Sequence, residues 1–333
     1  MGVTYRWYDF VNEGTDPRLF DLFAATYGDA EPLKVRWKWQ YEQHPQKADI
    51  KMVFVEDGDR LIGMTSFIPI FLVVEGKTVP AWHGATAMVM KEYRRQGIST
   101  VMTQMFADEL DVLIGKGVDP RQFAVILKFG WKQIKPDNNL VKVLSKPKWI
   151  LRKTRLYSRA GKFLKPGGGF DEDFEVVERF GGEFDEFWQE VAPHYPAIVA
   201  KNSAYMNWRY IDIPIKKYFC IYRKENGRVK SVIILRDMKH LGNVVDMIWN
   251  PQDEREPDDT VRFTARYLKK SGFTNSYCFA TLKSFRDSLR KHGYMYIKDS
   301  PLLAVYGEPE FMARMADGHL THFVNGDSDH EFL

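Results

Sequence analysis

The sequence predicts an α+β protein built from two copies of one unit, each a mixed, mostly antiparallel sheet flanked by helices. Three observations carry this. Antiparallel strand pairs are followed, between residues 51 and 130, by a strand–loop–helix–strand–helix run. Trp208-Arg209-Tyr210-Ile211-Asp212-Ile213-Pro214 repeats Trp39-Gln40-Tyr41-Glu42-Gln43-His44-Pro45 as Trp-x-Tyr-x-x-x-Pro, and Leu289-Arg290-Lys291-His292-Gly293-Tyr294 answers Ile126-Leu127-Lys128-Phe129-Gly130-Trp131 at nearly the same offset. Between the copies lies Lys165-Pro166-Gly167-Gly168-Gly169, a flexible break that divides the chain into 1–165 and 166–333.

In the first copy, Leu19, Phe20, Leu22 and Phe23 give residues 16–30 a helical pattern, and an aromatic cluster of Trp37, Trp39 and Tyr41 closes at Pro45. Met52–Val55 and Leu61–Ile68 are strands joined through Glu56-Asp57-Gly58-Asp59, a hairpin signal. Phe71–Val74 reads as a further strand, and Ala81–Met90 as the central one. Val112–Ile114 is a short buried strand. Asp119-Pro120 opens a helix, with proline at its first position, that carries Phe123, Ile126 and Leu127 and stops at Gly130.

The most informative stretch joins the central strand to the next helix: Met88-Val89-Met90-Lys91-Glu92-Tyr93-Arg94-Arg95-Gln96-Gly97-Ile98-Ser99-Thr100. A strand that turns through basic residues and a glycine into a helix start leaves backbone N–H groups aimed outward, and the helix dipole adds to them. Such an arrangement holds a phosphate or pyrophosphate. Arg94, Gly97 and Ser99 resemble the Arg/Gln-x-x-Gly-x-Gly/Ala pyrophosphate loop of the GNAT N-acyltransferase superfamily, with Ser99 in place of the last small residue. The resemblance implies tandem GNAT folds and acyl-CoA as co-substrate, gripped by Arg94, Arg95, Gln96, Gly97, Ile98, Ser99 and Thr100. It also implies that the pantetheine arm pairs with the backbone of Met88, Val89 and Met90 near Phe123, the thioester lying between this strand and the one ending near Gly115.

The second copy repeats the strands (Tyr218–Tyr222, Val229–Leu235, Val244–Trp249), the helix (about Asp259–Lys270) and the strand Ser276–Phe279. It lacks the basic loop. Asn250–Asp259 stands there instead, with an acidic excess that repels a pyrophosphate. One copy is built to hold CoA; the other shapes the acceptor pocket or braces the first.

Acyl transfer to an amine needs a neutral, placed nucleophile, a stabilised oxyanion and an outlet for the thiolate. Many GNAT relatives use a carboxylate or histidine near the central strand as base and a tyrosine on the later helix as acid. Here Ala85–Met90 holds no acid and the later helix has Phe123 and no tyrosine, which leaves His83 as the nearest titratable group. It is a candidate base or a structural residue; in the second case placement alone suffices. Arg209, which replaces Gln40 of the first copy, Asp246 inside an apolar strand, and Asp327 are candidate acceptor-binding residues. The tail Asn325–His330 has carboxylate spacing faintly like a calcium loop but lacks the remaining ligands, so no metal is expected.

The tandem pattern, with CoA features in the first half only, resembles the sugar N-acyltransferases of bacterial surface-polysaccharide pathways. It implies transfer of an acetyl or short (hydroxy)acyl group to the amine of a nucleotide-linked (dTDP- or UDP-) deoxyamino sugar. Acylation of amino-acid or peptide amines, or an idle acyl-CoA-binding module, are the alternatives.

The composition is that of an ordinary soluble globular protein rather than a disordered or fibrous one. Hydrophobic residues make up 44% and charged ones 28% of the 333 residues, and 48 basic against 44 acidic residues leave +4, too mild for a nucleic-acid partner. Much of the basic excess sits in Lys142–Lys165, either a solvated connector or a face for an anionic substrate or membrane surface. Cys220 and Cys278 read as reduced core residues. No apolar run approaches the ~18 residues of a membrane span, and Met1–Arg6 lacks the apolar core of a signal peptide. A cytoplasmic protein without a membrane partner is expected.

Overall fold

A computed structural model describes residues 2–154, 174–297 and 301–328. The break at Lys165–Gly169 and the basic residues Arg155, Arg159, Lys162 and Lys165 lie outside the described residues, as do Asp329 and His330. The chain forms two units: Met1–Phe71, Val79–Gln133 and Leu302–Ala316 make the first, and Leu72–Thr78, Ile134–Pro301 and Asp317–Leu333 the second.

In the first unit, β1 (Val3–Tyr8) runs antiparallel to β2 (Lys51–Asp57), β2 antiparallel to β3 (Arg60–Val74), and then follow β4 (Lys77–Val89), β5 (Leu113–Lys116), the late strand Leu303–Tyr306 and Lys132–Gln133. The helix Ile98–Glu109 buries Ile98, Met102 and Phe106, one stripe at four-residue spacing. Phe106 sits 4.5 Å from Phe67 and 5.0 Å, edge-on, from Trp7. Each such buried side chain contributes roughly 1.5–3 kcal/mol, which fixes the helix across the sheet. Asp119 caps the helix Pro120–Lys128 by accepting from the Arg121 amide at 2.9 Å.

The second unit's sheet runs Met295–Tyr296, Asn139–Val143, Asn275–Phe279, Leu241–Trp249, Arg228–Met238, Tyr218–Glu225 and Phe174–Val177. The helix Glu256–Lys270 packs on it. A Cβ at Gly242 would stand 2.5 Å from Leu268 Cδ2, so the missing side chain is what admits Leu268 to the strand. Also in this unit, the short strand Ala197–Val199 lies antiparallel to Leu72–Val74, the last residues of β3.

The duplicated motif is real in three dimensions. Lys38–Glu42 and Asn207–Ile211 are both single π-helical turns, with Trp39, Tyr41, Trp208 and Tyr210 buried. In each unit the motif tyrosine reaches the central strand: Tyr41 Oη donates to Thr86 Oγ1 at 2.7 Å, and Tyr210 Oη to Asp246 Oδ2 at 2.8 Å.

The division of the chain differs from the expected 1–165 and 166–333. Asn139–Val143, from the first half, pairs with Asn275–Phe279 in the second sheet, whereas Leu303–Tyr306, from the second half, pairs with β5 in the first. Strand register, not chain order, sets the membership. Leu61–Ile68 and Phe71–Val74, expected as separate strands, are one continuous strand, β3, which runs through Pro69.

Candidate functional site

β4 and β5 are parallel, and their register pairs are Trp82 with Leu113 and His83 with Ile114. Beyond Gly84 the strands part. β5 keeps its other neighbour, Gly115 pairing with Ala304 and Lys116 with Leu303. The β5-facing edge of β4 from Ala85 to Met88 is therefore without a strand partner within this unit. An extended amide-bearing chain fits such an edge by taking the strand hydrogen bonds.

At the end of that edge stands the basic loop. Met90 closes β4 through its amide, which donates to the Ile62 carbonyl at 2.8 Å, and Lys91–Tyr93 form a short turn. Arg95 then adopts φ 67° and Gly97 φ 81°, left-handed torsions that wind the backbone into a concavity ahead of the helix. Thr100 and Val101 are the first amides to find a helical acceptor, both on the Gly97 carbonyl at 2.9 and 3.1 Å. Among the described residues, the amides of Arg95 to Ser99 meet no protein acceptor, and no side chain caps this helix. A Cβ on Gly97 would have nothing within 4 Å, so the space over the amides is clear. Arg94 is used differently from a phosphate clamp alone: its Nε donates to the Val89 carbonyl at 2.9 Å and ties the loop to β4. Gln96 likewise donates to the Glu92 carbonyl at 3.1 Å.

The remaining predicted cofactor residues sit around these features. Met88 and Val89 are buried on β4 and Met90 just past its end, Ile98 is buried at the helix start, and Phe123 is buried on its helix. Next to Phe123, Gln122 Nε2 donates to Thr103 Oγ1 at 3.2 Å and links that helix to the loop helix. His83 occupies the last paired position before the strands part and is buried. Sequence reasoning missed a hydroxyl network that reaches the same strand from β3 and the π-helical turn, for which there is no local signal: Tyr41 Oη lies 2.6 Å from Ser66 Oγ, and Ser66 Oγ accepts from the Thr86 amide at 3.2 Å.

Arg209, Asp246 and Asp327 are brought together, but inside the second unit rather than on an open pocket. Lys201, absent from the predicted set, lies 2.8 Å from Asp246 and 3.0 Å from Asp327, all three side chains 0% exposed. Burial alone pulls the Lys201 pKa down; the two carboxylates outweigh it and hold the ammonium above its ordinary value. Burial and the Asp246 charge raise Asp327 against the pull of Lys201. Arg209 spends its guanidinium on backbone, donating to the Gly326 and Ser328 carbonyls at 2.9 Å each. These groups fasten the tail. The calcium-like spacing has the same use: Asp327 Oδ2 accepts from the Val324 amide at 2.8 Å. Among the described residues no group of His, Cys, Asp or Glu is placed to hold a metal ion.

What the tail fills is the second copy of the strand split. Leu241–Trp249 pairs in parallel with Asn275–Phe279 only from Leu241 to Val244. Past that point Val324 bridges Ala280, Phe323 accepts from the Thr281 amide, and His322 Nε2 donates to the Met247 carbonyl at 2.9 Å. The loop after this strand is closed as well. Asn250 caps the Gln252 amide, and Asp253 takes the Arg255 and Glu256 amides at 3.1 and 3.2 Å. The amides left open at Arg95–Ser99 are, in the second copy, already satisfied by carboxylate and amide side chains.

Residues 8–133 match the family model described as Acetyltransferase (GNAT) domain. No curated protein matches the chain by sequence. Among solved structures it is similar to a probable N-acyltransferase of unknown function from Enterococcus faecalis (TM-score 0.62, 13% identity, 91% of this chain and 72% of that one). It is also similar to Saccharomyces cerevisiae N-myristoyltransferase with bound myristoyl-CoA (0.57, 11%, 94% and 88%) and to a GCN5-related N-acetyltransferase from Anabaena variabilis (0.58, 11%, 91% and 72%). At these identities the likeness is one of fold, and it spans both units.

Proposed function

We propose that the chain is an N-acyltransferase that moves an acyl group from acyl-CoA to an amine in a ternary complex. The observation that carries this is the join of an open β4 edge to uncapped amides at Arg95–Ser99. The amides and helix dipole suit a diphosphate, and the edge suits the amides of a pantetheine arm. Gly97 keeps the approach clear. In the transfer the amine nitrogen bonds to the thioester carbonyl carbon, the C–S bond breaks, and the amine proton leaves while the thiolate is released or protonated. A backbone N–H on the open part of β4 faces the carbonyl and stabilises the oxyanion.

His83, at the last paired position, is the proposed base. His83→Gln then lowers kcat by about 10²–10⁴-fold with KM for acyl-CoA unchanged; an unaltered kcat would leave catalysis to placement alone.

The acceptor in this reading is the amine of a nucleotide-linked deoxyamino sugar. It rests on the tandem arrangement with one CoA-competent copy. Thiol release from acetyl-CoA and short hydroxyacyl-CoAs is measured against dTDP- and UDP-amino sugars and against peptide amines. Release with sugars supports the sugar acceptor, release with peptides alone replaces it, and CoA binding without release on any amine makes the chain a binding module.

A further inference from the structure

Residues 138–170 hold nine lysines and arginines and no Asp or Glu, although the chain as a whole has 48 basic and 44 acidic residues. Without that stretch the protein is net negative. Within the described part of it lies the helix Lys146–Lys153, none of whose residues is buried. Ile150 is 55% and Leu151 42% exposed, side by side, with Lys146 and Lys153 exposed around them. Trp149 is half-buried, and Lys153 Nζ stands 5.3 Å from its ring centroid.

We propose that this helix docks the chain on an anionic lipid bilayer, lying in the plane of the interface. Aliphatic side chains flanked by cations on one exposed helix face are what such a surface recognises: Ile150 and Leu151 enter the acyl boundary, and Lys146 and Lys153 meet the phosphate headgroups. A free anion would use the cations and leave the two aliphatics in water. A second copy of this face would bring its own lysines against like charge. The helix spans only about 12 Å at 1.5 Å per residue, so it lies on a bilayer and does not cross it. This replaces the expectation, drawn from the sequence, of no membrane partner.

The test is co-sedimentation of the full chain with vesicles of phosphatidylcholine alone and of phosphatidylcholine with a quarter phosphatidylglycerol, at low and high salt. The bound fraction is expected to rise about tenfold with the anionic lipid and to fall with salt. Ile150→Glu with Leu151→Glu should abolish binding, and Lys146→Glu with Lys153→Glu should remove the preference for phosphatidylglycerol. Because these side chains are exposed, the variants should melt with the parent. Equal binding to both vesicles, parent-like binding by the aliphatic variant, or a dimer of the free chain that the aliphatic variant dissolves would overturn the proposal.

Discussion

At Gly97 the backbone needs φ 81°, yet a Cβ there has no neighbour within 4 Å. Conformation and space thus separate what a substitution does to the fold from what it does to a ligand. Gly97→Glu costs about 1 kcal/mol of backbone strain and places a carboxylate over the amides of Arg95–Ser99. CoA affinity measured by calorimetry is expected to fall at least 100-fold with the melting curve little changed; normal affinity would remove the loop from the site. Lys201 poses the opposite case, a charge with no route to water. Lys201→Met leaves Asp246 and Asp327 facing each other in the interior and should cost about 3–5 kcal/mol. Asp327→Asn leaves one matched Lys–Asp pair and keeps an acceptor for the Val324 amide, so about 1 kcal/mol is expected. Urea unfolding of the two variants checks the order, and equal losses would show that Lys201 is not what holds the two carboxylates in the interior.

At the scale of elements, the two central strands begin alike and are completed differently. β4 leaves its edge open after His83, whereas Leu241–Trp249 receives the tail. Gly326 is where the tail passes the motif tyrosine, and a Cβ there would lie 1.9 Å from Tyr210 Oη. Gly326→Ala must displace either the tail or Tyr210, breaking the Tyr210–Asp246 bond, and should cost about 2–4 kcal/mol. Gly182→Ala, with open space around its Cβ, is the control and should be neutral or mildly stabilising. Faster hydrogen exchange at the Thr281 amide in the Gly326 variant would locate the damage at the tail. Much of this level was legible in the sequence, because loops and repeats are local. Gly97, the hairpin at Glu56–Asp59 and the Trp-x-Tyr turns each carry their own signal. The exchanged strands Asn139–Val143 and Leu303–Tyr306 were not legible, since pairing partners more than a hundred residues apart leave no local mark. Nor was the buried set around Lys201: Arg209, Asp246 and Asp327 were recognisable as residues needing partners, but an acceptor and an internal lysine satisfy that need equally well in the sequence.

At the scale of the whole chain, each unit holds a histidine that folding keeps neutral. Burial lowers His44 in the first unit to about 4, and burial with the nearby Lys201 charge lowers His322 in the second to about 3. His322 donates from Nε2 to the Met247 carbonyl, which fixes the tautomer and leaves Nδ1 without a hydrogen-bonding partner among the described residues. In the unfolded chain both imidazoles titrate near 6.5. The unfolded state therefore binds more protons below that value, and stability present above pH 6.5 is lost as pH falls toward 4 and 3. At pH 5 each histidine accounts for up to about 2 kcal/mol. Glu256 and Asp327 oppose this, because burial raises both and their protonation in acid favours the folded state. The measurement is the urea midpoint between pH 7.5 and 5 for the parent, His44→Gln and His322→Gln. Each variant should show a shallower fall than the parent, whatever its stability at pH 7.5. A parent curve that is flat across this range, or variants that keep the full slope, would mean that the imidazoles gain protons without unfolding either unit.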